Sequence, residues 1–305
     1  MVADFGAEHA FGKVNEKLKE HYGIELPSHA ARTITLHHAR QIEGLEAKDR
    51  ANFPMINKPK AVIISETDGS MVPIVVISEE IGDKRKKKKV QYREARLTLA
   101  HEKGAVNPVF SATLGDPAET GRHINYCVHK VGMGDETKIH AVGDGAGWIA
   151  NQIEEQFGKQ GNYLIDFYHL CEYLAAAAPD CCDTGSEKEW MEEQKLLLKE
   201  NQVDQVLKNV LRSVEPSFTQ EVSTPMQDCY RYIQNRRHQL DYRSAIEEGL
   251  PIGSGEIESA HRYIIQSRIK IQGAWWREKN VGYMLTMRTK RANHEWGEYW
   301  AKVAA

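Results

Sequence analysis

What the sequence does without narrows its class before any motif is considered. No apolar run in the 305 residues approaches the length of a membrane span, and the opening MVADFGAEHA lacks the basic-then-apolar plan of a signal peptide. No membrane partner is expected, and the cytoplasm is the expected compartment by default. Cysteine is scarce: Cys127, Cys171, Cys181, Cys182 and Cys229 are an odd number without paired spacing. Cys181 and Cys182 are adjacent, and no second pair or nearby His completes a zinc pattern. That excludes a disulfide framework or zinc site and leaves small, buried, reduced thiols as the expectation. Internal repeats are missing, and so is low-complexity sequence beyond the short run Lys84-Arg85-Lys86-Lys87-Lys88-Lys89.

A strong net charge is lacking too, at −3. The sum hides a polarised chain. Residues 180–204 carry eight Asp/Glu against three Lys/Arg, whereas residues 262–302 carry nine Lys/Arg against three Glu. Phosphate binding follows local fields rather than the total, so a nucleic-acid partner is not excluded.

The apolar pattern implies an α/β protein. Residues 8–50 read as two helices, the first ending in a Gly cap at Gly23 and the second running from Pro27 to Ala47 with Ser28 as N-cap. This pair is open to a helix-turn-helix reading and equally to ordinary helical packing. Three hairpin-like strands follow: AVIISETDG closing on Asp68-Gly69, MVPIVVIS entered through a short turn, and VQYREARLTLAHE after the charged loop 82–89. KIHAVGDGA is a fourth strand closing on Asp144-Gly145, GWIANQIEEQFG a helix, and NYLIDFYH a fifth strand running into the helix FYHLCEYLAAAA. A mixed sheet with helices packed on it is the expected class. Residues 186–248 read as helix throughout, broken near Pro216 and Pro225. The loop GLPIGSGE then opens a last long helix with a buried stripe at 257, 260, 264 and 271.

Asp68 and Asp144 share a setting, an aspartate at the end of an apolar strand followed by Gly. The sheet fixes such a carboxylate at the edge of a cleft, and the Gly leaves room for a sharp turn or a ligand. Glu258 comes early in the last helix, just after Gly253-Ser254-Gly255. These hard oxygen donors suit Mg²⁺ or Mn²⁺, and two such ions about 3.5–4 Å apart can serve phosphoryl transfer. Plainer readings stand beside this one: Asp-Gly is a common turn dipeptide, and a carboxylate early in a helix favours the helix dipole. Glu256 competes with Glu258, since on a helix the two point about 200° apart at roughly 100° per residue.

The strings DGSMVPIV, REARL, HAVGDGAGWI, IDFYHLCEYL and GLPIGSGEIESAHR, with SRIKIQGAWW beyond them, resemble the DDE-type transposases of bacterial insertion sequences. The nearest group is the Kra-type one, distantly related to the Mutator-like transposases. The resemblance runs from about Phe5 to Trp300. It implies an RNase H-like mixed sheet flanked by helices, with an all-helical insertion before the last catalytic helix. The implied divisions are 1–57 as an N-terminal helical region, 58–180 as the first part of the core, 181–249 as the insertion, and 250–305 as the catalytic helix and a basic tail.

The implied triad is Asp68, Asp144 and Glu258, the family pattern favouring Glu258 over Glu256, with Asp166 and His169 beside it. The implied cofactor is Mg²⁺ or Mn²⁺, two ions. The implied activity is cleavage of double-stranded DNA at transposon ends and strand transfer to a target, by a homodimer assembled on DNA and associated with the nucleoid. Members of this group carry a longer N-terminal region that binds transposon ends, so a chain lacking that region is the expectation here. A catalytically silent DNA-binding protein or a stand-alone RNase H-like nuclease remain as alternatives.

Several basic and aromatic residues are candidates for DNA contact: Lys86, Lys87, Arg262, Arg268, Lys270, Trp275, Trp276 and Arg277. For the lysines the competing reading is a solvated loop, and for the tryptophans closure of the core. Glu94, on the third strand, reads more naturally as the cross-strand partner of a nearby arginine than as a site residue.

Overall fold

The computed structural model describes residues 1–27, 29–52, 58–77, 88–211 and 223–304. The expected cap at Ser28, the basic residues Lys84 to Lys87 and the break at Pro216 lie outside the described residues. In chain order the elements are α1 (Val2–Glu8), α2 (Phe11–Tyr22), α3 (Ala30–Ala51), β1 (Val62–Ile77), β2 (Lys88–Glu102), β3 (Val109–Thr113) and α4 (Pro117–Val131). There follow β4 (Lys138–Gly143), α5 (Gly147–Phe157), β5 (Gly161–Ile165), α6 (Phe167–Cys181), α7 (Glu187–Lys199), α8 (Val203–Val210), α9 (Pro225–Asn235) and α10 (Tyr242–Glu247). The chain closes with α11 (Gly255–Ala260), a π-helical segment His261–Gln266, α12 (Ser267–Ile269), α13 (Glu278–Ala292) and α14 (Trp296–Ala304). The five strands form a mixed sheet, antiparallel through β1, β2 and β3 and parallel between β4 and β5. This is the α/β class expected, a mixed RNase H-like sheet flanked by helices. No helix among the described residues is long and apolar enough to cross a membrane.

The chain divides into two compact units, Met1–Thr137 with Gly255–Ala305, and Lys138–Ser254. In the first unit α1 packs on α3, and α3 on α13, so the N-terminal helices share a core with the C-terminal ones. The expected basic tail is in fact α13 and α14, and Arg288 and Lys290 of α13 are buried. Arg288 donates to the carbonyls of Ala7 and Ile264, stitching α1 to the π-helical segment. In the second unit α6 packs against α7 and α9. The described part of 186–248 is helical apart from short connections, and Pro225 starts α9 behind a capping box of Thr224 and Gln227.

The main departure from expectation concerns β1. The sequence suggested a turn at Asp68-Gly69 between two strands, but one strand of 16 residues runs straight through it, pairing Asp68 with Leu97 and Gly69 with Arg96. The glycine makes room for a neighbouring side chain and does not turn the strand. A Cβ at Gly69 would lie 2.1 Å from Oε1 of Glu94, which folds across it to reach the Arg96 guanidinium at 2.5 Å. Glu94 therefore pairs with an arginine, but with one two residues along its own strand and not across the sheet as expected. At Gly23, by contrast, the expected left-handed cap is present (φ 66°), with Ile24 N–H donating back to Leu18.

Candidate active site

Within the first unit, the strand carrying Asp68 and the helix carrying Glu258 are docked on each other. Alternation along β1 puts Glu66 and Asp68 on one face. Glu66 is buried, and its Oε2 accepts the backbone N–H of Ile257 at 2.8 Å, in the first turn of α11. A carboxylate at that point satisfies an orphan donor and complements the positive end of the helix. One turn further on, His261 Nε2–H donates to the Asp68 carbonyl oxygen at 3.1 Å and lies 3.5 Å from its Oδ2. Burial pushes the His261 pKa below the ordinary value against the opposing pull of Asp68, so the imidazole is neutral near pH 7. Ile257, Ala260, Ile264 and Ile265 then bury against Ala95, Leu97 and Leu99, the core that presses helix onto sheet.

Asp68 itself is partly exposed, and its Oδ1 accepts the N–H of Gly69 at 2.7 Å. Glu256 and Glu258 are both exposed. Glu256 reaches toward His101 of β2, with 3.3 Å between Oε2 and Nε2. Among the described residues Glu258 has no ion-pair partner. Neither Glu66 nor His261 was picked out from the sequence. The i, i+2 spacing of Glu66 and Asp68 on a strand was the available signal.

In the second unit Asp144 directly follows β4, at a strand end as expected, and its loop is held from three sides. Its Oδ1 accepts the N–H of Ala146 at 2.8 Å, and its carbonyl accepts the Tyr232 hydroxyl at 2.8 Å. Gly145 N–H donates to the Tyr163 hydroxyl at 3.0 Å, and the Gly145 carbonyl accepts Arg236 Nε–H at 2.9 Å. Gly145 sits at φ 84°, and a Cβ there would meet the Tyr232 oxygen at 2.1 Å. This glycine is required both by its backbone angle and by close approach.

Asp166 is buried, and its carboxylate is fully engaged. Oδ1 accepts Tyr168 and His169 N–H as the cap of α6, and Oδ2 accepts the backbone N–H (2.6 Å) and hydroxyl (2.5 Å) of Ser254. With four donors taken, it is a clasp on the Gly253-Ser254 turn. His169 lies 3.5 Å from Glu172 and edge-on to Tyr173 and Tyr232. Among the described residues no group of three or more His, Cys, Asp or Glu side chains is gathered as a ready-made metal site.

The expected DNA contacts sort by burial. Arg262, Lys270, Trp275 and Arg277 are exposed, while Lys86 and Lys87 lie outside the described residues. Arg268 is a core residue and not a DNA contact. It is 1% exposed, donates to the Gly6 carbonyl, and is sandwiched by the rings of Phe11 and Trp276 at 4.5 and 4.8 Å. Trp276 resolves to the core alternative, its indole N–H donating to Ile269 O.

The α/β class and the paired docking of strand and helix are what the structure defines. Residues 119–304 match the family described as Uncharacterised protein family (UPF0236), and the chain belongs to it. That stretch contains Asp144, Asp166, His169 and Glu258 and begins after Asp68. No curated protein matches the chain.

Proposed function

We propose that this chain is an RNase H-like transposase that cuts DNA at the ends of an insertion sequence and joins the freed 3′ end to a target. The observation that carries the reading is the double docking of the Glu258-bearing helix on the Asp68-bearing strand, through Glu66 to Ile257 and through His261 to Asp68. Two oxygen-donor residues of the expected triad are thereby tied to one rigid sheet-and-helix frame. The third, Asp144, stands at a strand end in a loop braced by Tyr163, Tyr232 and Arg236.

The donor set is hard oxygen throughout, which fits Mg²⁺ or Mn²⁺. Divalent ions, when bound, would supply Lewis acidity for in-line displacement at phosphorus. The protein's own share is positional. Glu66 and His261 hold strand and helix in register, and Asp166 fixes the turn that leads into α11. Exposed Arg262, Lys270 and Arg277 supply positive charge for the DNA backbone. Double-stranded transposon ends and target, a homodimer on DNA and association with the nucleoid belong to the same proposal.

The test is cleavage and joining, assayed separately on DNA carrying the element's ends. Wild type is expected to cut with Mg²⁺ and not with Ca²⁺. Glu258→Gln should abolish cleavage while binding DNA at least as well, and Glu256→Gln should cut nearly normally. Loss in Glu256→Gln with survival in Glu258→Gln would exchange their roles. Binding without cleavage by any variant would favour the silent binder, and cutting without joining the nuclease. Mg²⁺ or Mn²⁺ should also raise the melting temperature of wild type, and Asp68→Asn with Asp144→Asn should remove that shift.

A further inference from the structure

The loop between α12 and α13 places two adjacent tryptophans in opposite environments. Trp276 is anchored: its carbonyl accepts the N–H of Val75 on β1 at 2.7 Å, its indole N–H reaches Ile269 O, and its ring lies in the core. Anchoring one tryptophan forces its neighbour outward. Trp275 is 58% exposed, with the Lys88 ammonium 4.3 Å from its ring centre. A large aromatic held in water beside exposed cations presents a face on which a ligand ring can stack.

Trp275 stands on the wall of a cleft of about 890 Å³, lying wholly within the first unit. The lining includes α3, where Arg32, Leu36 and Arg40 recur every four residues and so share one face. Lys88, Arg277 and Lys279 add to the cationic lining, as does the buried Arg268, and no carboxylate among the described residues lines the cleft. None of Arg32, Arg40, Lys88, Arg277 and Lys279 is in an ion pair among the described residues. The cleft therefore offers unneutralised positive charge beside an exposed aromatic and apolar lining residues such as Leu36, Val75 and Ile271. A duplex presents phosphates but hides its base faces in the stack. An unpaired strand presents both.

We infer that this cleft binds a short single-stranded stretch of DNA, with a base stacked on Trp275 and the backbone held by Arg32 and Arg40 on α3 and by Arg277. This deepens the transposase reading, on which it rests for the strand being DNA. It assigns α3 to strand binding, and it uses none of the carboxylates.

The test is fluorescence anisotropy with a labelled oligothymidylate of about 12 nucleotides, compared with a blunt duplex of the same length. Wild type should prefer the single strand. Trp275→Ala, at an exposed position, should leave the melting temperature unchanged and weaken single-strand binding about tenfold or more, with Trp275→Phe restoring most of it. Arg32→Ala combined with Arg40→Ala should lower the slope of log affinity against log salt by about 1.4. Tyr22→Ala, exposed but outside the cleft, serves as control and should change nothing.

Equal binding by Trp275→Ala and wild type would overturn the proposal. So would equal affinity for duplex, or displacement by a mononucleotide as effective as by the oligomer. Trp275-dependent binding without any cleavage would sink the catalytic reading alone, whereas cleavage with Trp275-independent binding would sink this one alone.

Discussion

Glu66 on β1 caps α11 from outside the helix, its carboxylate oxygen 2.8 Å from the backbone nitrogen of Ile257. A strand residue thus takes the place of a local N-cap and ties the helix bearing Glu258 to the strand bearing Asp68. Removing it should uncouple the two. Glu66→Ala leaves a buried N–H unsatisfied and should cost about 1–3 kcal/mol by chemical denaturation. Glu66→Gln keeps an acceptor in place and should lose less. Equal stability of Glu66→Ala and wild type would mean that α11 is held by its apolar contacts alone.

The close approach at Gly69 gives a double-mutant cycle. Gly69→Ala should destabilise by pushing Glu94 away from Arg96, since the new Cβ would lie 2.1 Å from Oε1. With Glu94→Ala as background the same change should become neutral or mildly stabilising, because Ala is a better strand residue than Gly. A penalty that persists in that background would point to a backbone requirement instead.

Asp166→Asn separates a clasp from a metal ligand. An amide offers one acceptor oxygen to four donors, so the variant should lose on the order of 3 kcal/mol of stability without metal present. Ser254→Ala, removing one of the four donors, should cost about 1 kcal/mol. Unchanged stability in Asp166→Asn, with an altered melting response to Mn²⁺, would return the residue to the metal site.

The buried pair of Glu46 on α3 and Lys290 on α13, 2.7 Å apart, should make stability acid-sensitive. Burial alone would raise the Glu46 pKa, but Lys290, Lys130 and the Tyr126 hydroxyl outweigh it and hold it below 4.5. A depressed carboxylate contributes stability that is present above its unfolded pKa and lost as pH falls through the folded one. Denaturation free energy should therefore drop below about pH 4.5 in wild type, and less steeply in Glu46→Gln. At pH 7 Glu46→Gln should cost about 3 kcal/mol by leaving the Lys290 charge without one buried partner, and Glu46→Leu with Lys290→Met should recover most of it.

Local chemistry made much of this protein legible in its sequence. The apolar runs gave β4 and β5 their places, because a buried strand must be written in apolar residues wherever it lies. The cap at Gly23 and the start of α9 at Pro225 were equally readable, since φ > 0 and a missing N–H are properties of single residues. Asp144 was placed correctly at a strand end for the same reason. Three things needed the tertiary structure. Whether Asp68-Gly69 turns or runs on depended on β2, which pairs Asp68 with Leu97 and Gly69 with Arg96 from some 25 residues away. Whether Arg268 meets DNA or the core depended on Phe11, Trp276 and the Gly6 carbonyl, which surround a charge that sequence pattern would put on the surface. The roles of Glu66 and His261 depended on α11 lying against β1, about 190 residues apart in the chain. A sequence records each side chain's chemistry, but burial and partnership are set by residues distant in the chain, and only the folded core brings those together.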